Sequence, residues 1–206
     1  MEKPGERAVR GHGGAPAPGA DPADDVGQPG LVCAEYTPEL QLELLGIEPS
    51  MLEPPILDLG CGAAASLVRH LQQRELRGVI GLDPRAPVAC GFVRASWFEL
   101  SFPSSTWRTL IAHQSFALHF LHAHLRSESV AARFAHKYLE LLRSLQVGGR
   151  FFYAPGLPFV EEHLDPGAFR VTRRPVPVAS IPPAALDLAA LYGPDGIYAA
   201  SVERLR

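Results

Sequence analysis

The chain has 206 residues, 47% of them hydrophobic, with a formal net charge of −3 and three cysteines. That composition allows one domain with a sizeable core and argues against a dominant basic surface for nucleic acid. No apolar run approaches the ~20 residues of a membrane span. The opening Met-Glu-Lys-Pro-Gly-Glu-Arg leads into no signal-peptide apolar stretch, and Cys33, Cys61 and Cys90 are odd in number and far apart. This cysteine usage fits a reducing cytoplasm rather than a disulfide framework. Residues 1–30 hold seven glycines, five prolines, no aromatic residue, and only Met1, Val9 and Val26 as larger apolar side chains. Such a segment cannot bury enough surface to offset its ordering entropy, so a disordered tail is expected ahead of a single domain over 31–206. Residues 36–46 then predict a short amphipathic helix, with Thr37 as N-cap and Pro38 in the first helical position.

Pro55-Ile56-Leu57-Asp58-Leu59-Gly60-Cys61-Gly62-Ala63-Ala64-Ala65 reads as a buried strand, a glycine turn and the start of a helix. In that geometry backbone N–H groups and a helix N-terminus face a ligand at the carboxyl edge of a parallel sheet. A Cβ at Gly60 or Gly62 is expected to hold a nucleoside away from the backbone. With Ala65 in the third-glycine place, the turn also fits the dinucleotide fingerprint. Asp58 separates the two ligand classes. A carboxylate there repels a diphosphate and suits a ligand carrying an ammonium group.

At these residues the chain resembles the class I, Rossmann-like S-adenosylmethionine-dependent methyltransferases, whose first motif is similar to Asp58-Leu59-Gly60-Cys61-Gly62. The departure is Ala64, where many members carry a third glycine. The resemblance implies an α/β, doubly wound, mostly parallel sheet closed by a C-terminal antiparallel strand pair. It implies S-adenosyl-L-methionine as cofactor, contacted by Asp58, Gly60, Cys61 and Gly62. It also allows the 36–46 helix to act as a lid. Cys61 is otherwise a small filler of the turn.

Gly78-Val79-Ile80-Gly81-Leu82-Asp83 predicts a second buried strand ending in an acid, 21 residues after Gly62 and placed for ribose hydroxyls. Only Pro84 to Gly91, with two prolines, separates it from the strand-like Phe92-Val93-Arg94-Ala95. A parallel crossover usually takes a dozen residues or so, hence the helix after the second strand is expected to be missing or one turn long. In the family an acid that binds the adenine amine often follows. Here Ser96 stands in its place, with Trp97 beside it to cover the adenine face or pack in the core. Pro84 completes the expected cofactor contacts.

Trp107 to Gln114 reads as the fourth strand, with Arg108 structural at its start. His113 and Gln114 fall at its carboxyl end, where the resemblance places the reacting methyl group, and His113 is also counted among the cofactor contacts. His119, His122 and His124 follow, but no acid or cysteine completes a ligand set, so no metal is expected. Ser129 to Leu145 carries apolar residues at helical spacing, and Gly148 is the expected left-handed C-cap before an aromatic fifth strand, Phe151 to Pro155. Glu161, Glu162 and His163 are expected in solvent on one or two helical turns over 159–164. The last forty residues predict strands at Phe169 to Pro175 and Ile197 to Glu203, with a short helix near Ala184–Leu191 between them. Arg170, Arg173 and Arg174 are expected to form a solvated basic edge.

The reading that follows is methyl transfer to an acceptor, a small molecule first, with no membrane and nucleic acid not favoured. His113 is the candidate base, needed only if the acceptor must lose a proton, with Gln114, His119 and Pro155 contacting the acceptor. A cofactor-binding or protein-interaction module that has lost its chemistry is the alternative. A nicotinamide-dependent reductase is disfavoured by Asp58.

Overall fold

Neighbouring residues on the central strands feed two different cores, and that alternation sets the layers of the molecule. The computed structural model describes residues 36–177 and 196–206; the tail expected over 1–30 and the helix expected near Ala184–Leu191 lie outside them. The strands are β1 (Ile56–Leu59), β2 (Val79–Leu82), β3 (Phe92–Val93), β4 (Trp107–His113), β5 (Leu145–Ala154), β6 (Phe169–Pro175) and β7 (Tyr198–Arg204). The helices are α1 (Pro38–Leu45), α2 (Ser66–Gln73), α3 (Phe116–Arg126), α4 (Glu128–Ser144) and the single turn α5 (Pro158–Glu161).

Leu57, Leu59, Leu110, Ala112, Phe151 and Tyr153 pack with α3 and α4, whereas Ile56, Ile111, Phe152 and Ala154 pack with α1 and α2. Successive side chains of a strand leave on opposite faces, so strands apolar at every position must be covered on both sides. The sheet order is β3-β2-β1-β4-β5-β7-β6. β1 to β5 are parallel, and β7 alone runs against its neighbours β5 and β6. The doubly wound, mostly parallel sheet with an antiparallel closing pair is as expected. So is the gap after β2: residues 83–91 pass to β3 through turns, without a helix. No helix among the described residues is long and apolar enough to cross a membrane.

Thr37 caps α1 through Oγ1, which accepts from Leu40 N at 3.3 Å, and Gly46 ends it at φ +67°. α1 packs against α2, β5 and β7. Arg108 is structural, as expected: its guanidinium pairs with Glu53 and donates to Val147 O.

Three expectations are corrected. α4 begins at Glu128, with Ser127 as its cap and the only residue between it and α3, because the Ser127 hydroxyl accepts from Val130 N. Gly148 is left-handed (φ +78°) but lies inside β5 rather than capping a helix. The pairing jumps there from Trp107–Leu145 to Thr109–Arg150, so the glycine forms a bulge that lets β5 start at the end of α4. Glu161 is buried, while Glu162 and His163 are exposed as expected. The turn α5 folds back over the sheet, and the Glu161 carboxylate accepts from Tyr153 Oη (2.9 Å), Leu157 N (2.6 Å), Tyr198 Oη (2.7 Å) and Arg173 Nε (2.9 Å).

Four donors fill the lone pairs of that carboxylate, and removing it strands them all. Glu161→Ala is therefore expected to lower stability by about 3 kcal/mol or more, against about 0.5 kcal/mol for the exposed Glu162→Ala. Urea unfolding of both variants checks this, and equal losses contradict it.

Candidate active site at the carboxyl ends of the parallel strands

β1 delivers Asp58, two residues before Gly60, to the carboxyl edge of the sheet. Asp58 is 5% exposed, and its carboxylate has no hydrogen-bond or ion-pair partner among the described residues. Burial first, then the Asp83 charge, push its pKa up to about 7. Asp83, at the end of β2, is satisfied instead. Its Oδ2 accepts from Gly62 N at 3.1 Å and its Oδ1 from Arg85 N at 2.7 Å, tying the β2 turn to the glycine turn. Arg85 Nε also lies 3.6 Å from Oδ1, while Oδ2 keeps a second lone pair. Pro84, beside it, is exposed.

The two glycines have different reasons. Gly60 (φ +81°) is required by the protein itself, since a Cβ there lies 2.4 Å from Ser115 Cβ. Gly62 (φ +70°) has nothing within 4 Å of its Cβ position. Gly60 thus answers to the packing of α3, and Gly62 leaves space open beside the turn. Ser115 was not singled out from the sequence; its hydroxyl donates to Leu59 O and locks the end of β1 to the start of α3. A serine ahead of an apolar helical run was the available signal. Cys61 is a filler, as expected. Its thiol points at Gly81, where a Cβ lies 2.8 Å from Sγ, and burial drives its pKa up to about 12.

Ser96 is engaged locally: its Oγ accepts from Phe98 N at 3.3 Å and its N–H donates to Glu99 Oε2 at 2.6 Å. The Trp97 ring lies against Gly60, edge-on to Phe116 at 5.6 Å and 5.6 Å from His119. Its buried Nε1 has no hydrogen-bond partner.

At the end of β4, His113 is 6% exposed and neither ring nitrogen has a hydrogen-bond partner among the described residues. Burial lowers its pKa to about 4, so the ring is neutral at ordinary pH. Tyr36, just ahead of α1, stands edge-on to it at 5.1 Å. Gln114 takes the left-handed conformation (φ +48°), and its Nε2 donates to Tyr36 Oη at 3.3 Å. Pro155 is buried beside this pair, because His113 is in register with Ala154 and Gln114 N donates to Ala154 O at 2.8 Å. Tyr36 is the second residue whose place the sequence left unread. His119 sits on the exposed side of α3, and His124 stacks on Phe159 at 3.8 Å. Among the described residues no three His, Cys, Asp or Glu side chains converge as metal ligands.

No protein-family model matches the chain, and no curated protein matches it. Solved structures do. An S-adenosylmethionine-dependent methyltransferase from Mesorhizobium loti is similar over 82% of this chain and 98% of its own, with 18% identity and a TM-score of 0.49. A putative S-adenosylmethionine-dependent methyltransferase from Listeria monocytogenes is similar over 81% and 98%, with 10% identity and a TM-score of 0.48. The plantazolicin methyltransferase BpumL, solved in complex with SAH, is similar over 73% and 76%, with 12% identity and a TM-score of 0.46. The chain has a Rossmann-like, doubly wound α/β fold. That assignment rests on the sheet order with its reversed β7.

Alanine at the two glycines separates their roles. Gly60→Ala meets both the left-handed backbone and Ser115, and is expected to cost about 3 kcal/mol. Gly62→Ala meets only the backbone term, about 1 kcal/mol, and stays folded while its methyl group fills the open face of the turn. Thermal melts check the ranking, and a Gly62→Ala loss equal to that of Gly60→Ala contradicts it.

Proposed function

We propose that the chain binds S-adenosyl-L-methionine at the carboxyl ends of β1 and β2 and transfers its methyl group to an acceptor held at the ends of β4 and β5. The observation that carries this reading is the Asp58 carboxylate, buried without a partner among the described residues and forced toward its neutral form beside Asp83. A buried charge persists only where something compensates it, and an ammonium group is the ligand chemistry that does so. Gly62 leaves the adjoining space free, and the remaining lone pair of Asp83 Oδ2 suits a ribose hydroxyl.

The cofactor's sulfonium supplies its own activation, so the chain is left with alignment, electrostatics and exclusion of water. His113 and Gln114 are the groups best placed for the acceptor, next to Pro155. A neutral imidazole with free nitrogens can accept a hydrogen bond from an N–H or O–H nucleophile and take its proton. Tyr36 covers the ring, which supports a small molecule rather than a broad macromolecular surface as the acceptor. The Trp97 ring beside Gly60 supports a role in walling the cofactor site, and Ser96 offers its hydroxyl hydrogen and one remaining lone pair there.

Asp58→Asn tests the proposal. Raising an acid's pKa on folding costs stability that is absent below the unfolded value near 4, builds as pH rises, and is complete above the folded value of about 7. Without ligand, the variant is therefore expected to melt above the wild type by a margin that grows between those limits. Calorimetric titration with S-adenosylmethionine and S-adenosylhomocysteine is expected to show binding to the wild type and a loss of about tenfold or more in the variant. No binding to the wild type, or equal affinity in the variant, contradicts the proposal. Binding without methyl transfer to any component of a cell extract favours a cofactor-binding module instead.

A further inference from the structure

Far along the sheet from the glycine turn, the face of β5, β7 and β6 that carries α1 is not fully covered. A groove of about 360 Å³ opens there, within the usual size of small-molecule sites, about 300–1,000 Å³. Its floor and rim include Arg150, Arg170, Thr172, Arg174, Ser201 and Glu203, and Leu45, Met51 and Phe152 form an apolar side. The basic cluster expected from sequence is thus divided. Arg173 leaves on the other face, to Glu161, while Arg170 and Arg174 join Arg150.

The arrangement around Thr172 is specific. Thr172 pairs directly across the strands with Ser201, which sets two hydroxyls side by side on the floor. Arg170 and Arg174 stand two residues to either side of Thr172 on the same face, each about 7 Å away along the strand and within reach of a guanidinium. Glu203 bridges Arg150 at 3.6 Å and Arg170 at 3.4 Å. Arg174 has no ion-pair partner among the described residues and is held over Gly46, where a Cβ would lie 2.7 Å from Nη1. Three guanidiniums thus face one carboxylate. Charges that merely guard a sheet edge belong on the edge strand, whereas Arg150 comes from the interior strand β5.

We propose that this groove binds a small organic oxyanion, a phosphate monoester or a carboxylate. Its charged group lies over Thr172 and Ser201 between Arg170 and Arg174, and its apolar body lies against Leu45, Met51 and Phe152. Guanidinium forks and hydroxyl donors are the groups that recognise such oxygens. The site is independent of the methyl-transfer reading.

Amide NMR of the labelled full chain with phenyl phosphate, benzoate and inorganic phosphate tests it, the first two probes distinguishing a phosphate from a carboxylate. The expected result is saturable shifts at Thr172, Arg174 and Ser201 with phenyl phosphate or benzoate, weaker with inorganic phosphate. Arg174→Gln is expected to weaken binding about tenfold or more, and Thr172→Val to weaken it with all charges kept. Unchanged melting of both variants shows that they are folded. No saturable shift, unchanged affinity in Arg174→Gln, inorganic phosphate binding as tightly as the organic anions, or shifts centred on residues 60–65 overturns the proposal.

Discussion

A buried carboxylate that meets no counter-charge among the described residues is the constraint around which this fold is arranged. Asp58 sits at the end of a strand buried on both faces, and Asp83 stands beside it. Between pH 4 and 7 the unfolded chain can ionise Asp58 freely while the folded chain cannot, so folding works against this residue. A structural acid would be expected to find donors, as Glu161 does with four. The two carboxylates contrast: one is saturated by four donors, and the other meets none among the described residues.

The rest of the edge follows from the parallel strands. Because β1, β2 and β4 run in one direction, Asp58, Asp83, His113 and Gln114 come out at the same edge although they are scattered over 57 positions of the chain. The helices that could cover that edge are placed on the faces instead. Ser115 presses into the space that Gly60 leaves, fixing the first turn of α3 against the end of β1. The same locking leaves the turn open on the side of Gly62. Tyr36 closes the end of β4 over His113, so the two halves of this edge differ: an acidic, open half under the glycine turn and an uncharged, covered half at the end of β4.

Much of this was legible in the sequence because it is local. Asp58, the glycine turn and Asp83 lie within one strand–helix–strand unit, and the proline-broken stretch after Asp83 is too short for a helix on length alone. The Thr37–Pro38 start of α1 was legible for the same reason, whereas the reversed last strand followed from the family resemblance. What was not legible depends on contacts between distant residues. Glu161 reads as a solvated acid until Tyr198 and Arg173 are folded against it. Gly148 reads as a helix cap because the sequence does not show that β5 takes over one residue after α4 ends. The packing of Gly60 against Ser115 links residues 55 positions apart. The division of the arginines between the two faces of β6 required the strand register, which period-two alternation carries but the flanking sequence does not fix.

The most direct measurement of the central claim is the ionisation of Asp58 itself, followed by its side-chain carboxyl carbon resonance against pH, without and with S-adenosylmethionine. The account predicts a midpoint of about 7 in the free protein and a clear fall when the cationic ligand binds. A free-protein midpoint in the ordinary range near 4, or one that the ligand leaves in place, contradicts it.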